Sequence, residues 1–448
     1  MSHQTLKKKL YRVLHQRNQP ASVYLRLRRK ARIFNEGYAK NKLHAVKARG
    51  CLITDVSGHI YIDTAMGAGT HLLGYAPGVL TKAVKEQSSR GTLYILPNLH
   101  AYQLGRLLTK AIGHFDSFVF CNTGSEATMR ACRIARAYTG RKKIAMFSGG
   151  WHGGHDGLLF DEDYKGRETA PKIIFKSAGV PDELKDLVLI LPYHCDSALT
   201  MIRKHKDELA MVIIEPVQGS NPRDDMGEFL KELRGCTAKN KVLLCFDEII
   251  SGFRLAPGGA QEYYGVKADL ATYGKALGGG LPIGVVAGPR SIMNVVTGQK
   301  SGRTVFMGGT FSANPLGMCV ARTFLEYLLK NKKRIYPLIN DHGQYLRDSV
   351  NAFCLLHRIP VRMMGIGSMS RLIFTDRAVR SRWQRDHFEI SREIQDLFYL
   401  YLLLEKGIHV NHNRILYLST AHHREHVQRI IDAITETLQY FSKKLKLI

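Results

Sequence analysis

Short apolar runs alternate along this chain with longer stretches whose apolar residues recur every three or four positions. Phe118-Val-Phe-Cys121, Lys143-Ile-Ala-Met-Phe147, Leu187-Val-Leu-Ile-Leu191, Met211-Val-Ile-Ile214 and Val242-Leu-Leu-Cys-Phe246 read as strands. Ser125–Tyr138, Ser197–Lys206 and Gly227–Lys239 read as helices between them. The strands are apolar almost throughout, the pattern of strands buried on both faces, so a mostly parallel sheet covered by helices is predicted. Ahead of it, Cys51–Asp63 holds two alternating runs around Ser57-Gly58, a hairpin. Beyond about residue 320 the texture turns more helical and more basic, and a C-terminal α+β domain is expected from there. No internal repeat interrupts this order.

Composition narrows the class. With 448 residues, 45% hydrophobic and 23% charged, the chain is globular, at roughly 150 residues per domain too long for a single core. The net charge is +27, and the first 50 residues carry 14 Lys/Arg against one acid, Glu36. Three readings of this N-terminal stretch stand side by side: a solvated helix laid on the protein, a docking arm for an anionic partner such as an acidic carrier protein, and an organelle transit peptide. The eight cysteines are scattered, with no C-x-x-C pair, which points to reduced thiols and a cytoplasmic setting. No apolar run long enough to span a bilayer and no signal-peptide pattern is present.

Parallel sheets place ligands at the carboxyl ends of their strands, so the residues following each strand carry the argument. After Cys121 comes Asn122-Thr-Gly-Ser-Glu-Ala-Thr128, a turn into a helix start, a place for a phosphate at Gly124 and Ser125. A plain helix cap explains Ser125 as well. After Phe147 comes Ser148-Gly-Gly-Trp-His-Gly-Gly-His155, where backbone can approach a ligand closely and Trp151 can stack on a flat one. His152 and His155 have no cysteine or carboxylate cluster beside them, so no metal site is expected. Asp247 and Glu248 end another strand. Gly274-Lys275-Ala-Leu-Gly-Gly-Gly280 follows a further one, but Asp269 and Ala276 break the phosphate-loop frame, which argues against nucleotide chemistry.

One cofactor uses all of these parts. Pyridoxal 5′-phosphate (PLP) needs a lysine for its Schiff base, an acid facing its pyridine nitrogen, a phosphate cup and an aromatic plate. Lys275 and Asp247 supply the first two, and Lys275 can then shuttle a proton between substrate and cofactor.

Further motifs extend this. Cys121–Met129, Trp151-His-Gly153, Ile214-Glu-Pro-Val217, Phe246-Asp-Glu248 with Ser251-Gly-Phe-Arg254, Pro257–Gly265, Gly274-Lys275 with Gly278–Gly284, and Gly309–Pro315 occur in order. In these stretches, over about residues 50–425, the chain resembles the class III aminotransferases of PLP fold type I, and within them the glutamate-1-semialdehyde aminomutase branch. The resemblance implies an α/β large domain with a seven-stranded-type, mostly parallel sheet, and a smaller α+β domain built from both chain ends. On that pattern residues 1–34 are a basic extension, 35–75 and 323–448 the small domain, and 76–322 the large one.

The resemblance also implies roles. Lys275 carries the Schiff base, Asp247 pairs with the pyridine nitrogen, Trp151 stacks on the ring, and Gly124 and Ser125 hold the phosphate. His152, Glu215 and Ile250 line the cofactor, which alternates with its pyridoxamine form. Thr310 reaches the phosphate of a neighbouring subunit, so a homodimer is implied. Departures bear on the substrate: Ala68 stands where the aminomutase branch has a tryptophan, Arg414 where it has a glutamate, and its N-terminal arginine has no match. These point to an aminotransferase acting between an amino donor and a carbonyl substrate, large or anionic, with the intramolecular 1,2-aminomutase as the alternative. A binding or scaffold relative on an inactive fold is the reading from another class, and the joint presence of Lys275 and Asp247 speaks against it.

Overall fold

The computed structural model describes residues 3–17, 43–297 and 304–444. The chain divides into two units. One comprises Gly78–Tyr336 and Val379–Asp386; the other takes both chain ends and Pro337–Ala378.

The first unit is built on a seven-stranded sheet of β4 (Ser117–Cys121), β5 (Lys143–Phe147), β8 (Val188–Leu191), β9 (Leu209–Ile214), β10 (Leu243–Asp247), β11 (Leu270–Gly274) and β12 (Gly284–Gly288). Their spatial order is β4-β12-β11-β10-β9-β5-β8. β8, β5, β9, β10 and β11 pair in parallel, and β12 runs antiparallel between β11 and β4. β9 to β12 are buried along their whole length, in keeping with their mostly apolar sequence. The helix Gly124–Thr139 turns Ala127, Ala131, Ile134 and Ala135 into this core, small residues that let it lie close on the sheet. A hairpin of β6 (Phe160–Glu162) and β7 (Ile173–Phe175) was not foreseen, because three-residue strands leave no readable alternation.

The second unit holds a sheet β1-β2-β3-β15, from Ala45–Arg49, Leu52–Asp55, Ile60–Asp63 and Ile408–His409, and a sheet β13-β14-β16, from Arg362–Ile366, Met369–Ile373 and Ile415–Tyr417. The expected hairpin at 51–63 is β2–β3. Two boundaries differ from the sequence reading. The helix Pro315–Leu356 runs unbroken through 322, and the units part within it at Pro337, the residue that cannot donate to the helical ladder. The segment Val379–Asp386 belongs with the seven-stranded sheet, not with the C-terminal residues around it.

The N-terminal stretch is corrected too. Residues 3–17 form a helix whose Leu6, Leu10 and Leu14 are buried in the core of the second unit. Lys7 meets Glu393 at 2.6 Å, Lys9 meets Glu405 at 3.1 Å, and Arg17 donates to Tyr61 Oη at 3.0 Å. This helix is part of a core, and nothing in its packing supports the docking-arm or transit readings; residues 18–42 lie outside the described residues. Among the described residues no helix is long and apolar enough to cross a membrane.

Candidate active site

The carboxyl ends of β5, β9, β10 and β11 bring the predicted residues together. Asp247 ends β10 and is 4% exposed. Its Oδ1 accepts from Thr272 Oγ1 at 3.0 Å, from the residue opposite it on β11, and from Ile249 N at 3.2 Å. Its Oδ2 meets His152 Nδ1 at 2.7 Å. A buried carboxylate with this many partners is fixed in place, as burial demands. Glu248 is turned elsewhere, to Ser251 Oγ at 2.5 Å and to the backbone N–H groups of Ala260 and Gln261. The two adjacent acids thus separate into one that faces the site and one that braces a loop.

Lys275 follows β11 with φ +41°, a left-handed conformation that a side-chain-bearing residue adopts at a cost. Burial pulls its amine down to about 8, against the opposing pull of Glu215 and Asp247. Glu215, just past β9, is 5% exposed and its carboxyl is pushed up by burial. It accepts from Trp151 N at 3.0 Å and Gly219 N at 3.1 Å. A Cβ at Gly219 would clash with Ile250 Cδ1, so a larger residue there needs Ile250 to shift.

At the helix start, Thr123 is the cap, accepting from Glu126 N at 3.1 Å. Ser125 is therefore free of the capping role that its residue type also allowed. The N–H groups of Gly124 and Ser125 lie in the first turn, where a helix offers donors without internal partners. Gly153, at φ +92°, lies so close that a Cβ would come 2.6 Å from Ser125 Cα, and Gly154 N donates to Ser125 Oγ at 3.0 Å. Trp151 is 47% exposed, with Lys176 Nζ 5.4 Å from its ring centre. Lys176 also holds Gly150 O at 2.8 Å. Sequence reasoning missed this lysine, because nothing marks it before the β6–β7 hairpin brings it back.

Thr310 is exposed, on a segment outside this cluster. Ala68 and Arg414 belong to the second unit. Ala68 lies in a turn where Met66, Gly67 and Ala68 all have positive φ, with Asp63 accepting from Ala65 N and Met66 N at 2.9 Å. Arg414 is 9% exposed and committed to Gln395 and to Asp396, the latter at 2.6 Å. Its guanidinium is engaged within its own unit. A cleft of about 730 Å³ between the helix Leu99–Ile112 and the loop 257–267 holds none of these residues.

The site fits a phosphate-bearing pyridine. His152 Nε2 is buried without a hydrogen-bond partner, the Gly153–Ser125 approach leaves a cradle that any Cβ would fill, and the helix start faces it with free donors. Gly124 and Ser125 would hold the phosphate, Asp247 the ring nitrogen, and Lys275 the aldehyde.

Comparison with known proteins follows the same line. The family profile described as aminotransferase class-III matches residues 33–438. The chain is 34% identical over 403 residues to a glutamate-1-semialdehyde 2,1-aminomutase of Methanocaldococcus jannaschii, covering 88% of this chain and 90% of the relative. It is 35% identical to the protein of the same name from Persephonella marina, covering 86% and 89%. Among solved structures, an omega-transaminase from Sphaerobacter thermophilus superposes with a TM-score of 0.84 at 29% identity, covering 92% and 95%.

Proposed function

Because the chain belongs to the class III aminotransferase family, enzymes that work with PLP, we propose that it moves an amino group between adjacent carbons of one bound amino aldehyde, a 1,2-aminomutase reaction. The observation that carries amino-group chemistry is the buried amine of Lys275, lowered by burial against the opposing charges of Glu215 and Asp247, at the end of the strand next to the one that Asp247 ends. The names of the two relatives, each matched over most of both chains, support the intramolecular reading over the donor–acceptor aminotransferase that the departures at Ala68 and Arg414 suggested. With Arg414 engaged elsewhere, a large or anionic substrate loses that support.

When bound, PLP supplies a carbonyl carbon that an amine can join and a ring that accepts electrons. The chain's residues do the rest. Gly124 and Ser125 N–H groups bind the phosphate at the positive end of their helix. Asp247, oriented by His152 and Thr272, holds a proton at the ring nitrogen. Trp151 would cover one ring face, and Glu215 holds its backbone in place through Trp151 N. Lys275, its amine near 8, is neutral often enough at physiological pH to take a proton from a substrate carbon and return it to the neighbouring one.

The working form is read as a homodimer. Ile95, Leu96, Leu99, Tyr102, Phe306 and Phe311 are all exposed on the sheet unit, apolar surface of the kind a second copy covers. The eight cysteines are free thiols, in keeping with a reducing compartment. Intermolecular transamination is the second reading, favoured by the likeness to the omega-transaminase.

One experiment separates the two. Glutamate 1-semialdehyde is supplied to purified PLP-loaded protein with neither amino donor nor keto acid. Accumulation of the isomer with the amino group shifted by one carbon is expected. Turnover only after a donor is added overturns the intramolecular reading in favour of transamination.

A further inference from the structure

We propose that Arg130 is a positioning residue that shapes the segment 306–312 so that Thr310 can complete the phosphate site of a second copy of this chain. The inference rests on the reading above, that the protein binds PLP as a homodimer with a residue exchanged between subunits.

Arg130 lies in the second turn of the helix Gly124–Thr139 and is 4% exposed. A guanidinium this deep is costly unless its donors are used. Arg130 Nη1 donates to Phe120 O at 2.9 Å, at the end of β4. Arg130 Nη2 donates to Gly308 O at 3.0 Å and to Ser312 Oγ at 3.2 Å. The nearest carboxylate with an ion pair to it, Glu126, stands 3.8 Å away, so the charge is satisfied chiefly by backbone of the segment it holds. One turn along, Arg133 Nη1 donates to Phe306 O at 2.7 Å. At the far end, Asn98 Nδ2 donates to Ala313 O at 2.9 Å.

The segment is thus pinned at Phe306, Gly308, Ser312 and Ala313. What it leaves outside is Phe306 at 74% exposure, Phe311 at 57%, and Thr310 between them. A loop with no regular structure, held by its backbone while it presents two aromatics and a hydroxyl, is organised for the surface of a second chain. The same helix carries Gly124 and Ser125 at its first turn. It therefore builds its own phosphate cup at one point and, through Arg130, shapes what it lends to the partner. The planar fork of a guanidinium spans Phe120 O on one side and Gly308 O on the other, a reach that the compact ammonium of a lysine does not match.

The test is subunit complementation. Arg130→Met is expected to weaken PLP binding, titrated by absorbance against apoprotein, by about tenfold to a hundredfold, the loss typical of a charge-assisted hydrogen bond. Arg130→Lys should recover part of it. Refolded mixtures of Arg130→Met and Lys275→Ala protein contain dimers in which the intact Lys275 faces a segment shaped by an intact Arg130. At limiting PLP these mixtures should turn over faster than either parent. Mixtures no better than the parents would mean that Arg130 acts only within its own subunit, which overturns the proposal. Turnover retained in Lys275→Ala alone would instead overturn the underlying functional reading. If Arg130→Met fails to fold, Ser312→Ala removes one acceptor only; a smaller loss of PLP affinity with unchanged melting is expected, and unchanged affinity counts against the proposal.

Discussion

His152 and Asp247, 95 residues apart in the chain, meet at 2.7 Å between Nδ1 and Oδ2. With Thr272 on the other oxygen at 3.0 Å, the carboxylate is held from two strand ends at once. Charge placed where it is needed in the transition state, without reorganisation, is worth several kcal/mol. Asp247→Asn keeps the shape and removes the charge, so kcat is expected to fall by on the order of 10²–10³ with little change in melting temperature. Steady-state kinetics beside a thermal melt checks this, and a near-normal kcat would refute the role.

Lys275 gives a pH prediction. Its amine is brought from the ordinary lysine value down to about 8, chiefly by burial. Only the neutral amine can join an aldehyde, so reconstitution of apoprotein by PLP should speed up as pH rises and level off above about 8. A second-order reconstitution rate followed from pH 6 to 10 shows this; a rate that keeps climbing toward the ordinary lysine value near 10.4 would mean that burial does not lower the reacting amine. Borohydride reduction followed by peptide mapping should find the cofactor on Lys275, and Lys275→Ala should abolish turnover.

Gly153 tests the phosphate cradle. A methyl there would lie 2.6 Å from Ser125 Cα and Oγ, on a backbone at φ +92° that L-residues rarely adopt. Gly153→Ala should therefore displace the Gly124–Ser125 turn and lower PLP affinity. Gly235, inside a helix with open space around it, is the control. Gly235→Ala should leave PLP binding alone and raise stability by about 0.5–1 kcal/mol. Equal PLP affinity in the two variants would remove Gly153 from the site.

How far the sequence could be read depended on the range of each signal. β5 and β10 were legible because an apolar run between polar residues is a local fact, and Lys275 and Asp247 followed as residues at strand ends. β12 was not, although Gly284–Gly288 is as apolar: its antiparallel place between β4 and β11 is a pairing, and pairing leaves no trace in a single segment. The His152–Asp247 contact has the same origin. Arg130 reads as one more cation on a basic helix until β4 and the segment 308–312 close over it. The partners of Arg414, Gln395 and Asp396, were likewise not legible from its place in a loop.

The N-terminal helix offers the last prediction. Its basic residues invite the expectation that removing it would leave the fold intact and cost only partner binding. The burial pattern says otherwise. Leu6 and Leu10 are fully buried and Leu14 nearly so, in one cluster with Phe398, Leu402 and Ile430. Truncating a leucine in such a setting costs about 2–5 kcal/mol, the transfer term plus the cavity left behind. The exposed pairs Lys7–Glu393 and Lys9–Glu405 should contribute little beside this, and less still in salt. Leu10→Ala should therefore lower the denaturant midpoint strongly and by the same amount at low and high salt. Lys7→Ala should shift it slightly, and only at low salt. A Leu10→Ala protein as stable as the parent would mean that the helix rests on the surface after all, and would return the basic N-terminus to the status of a free arm.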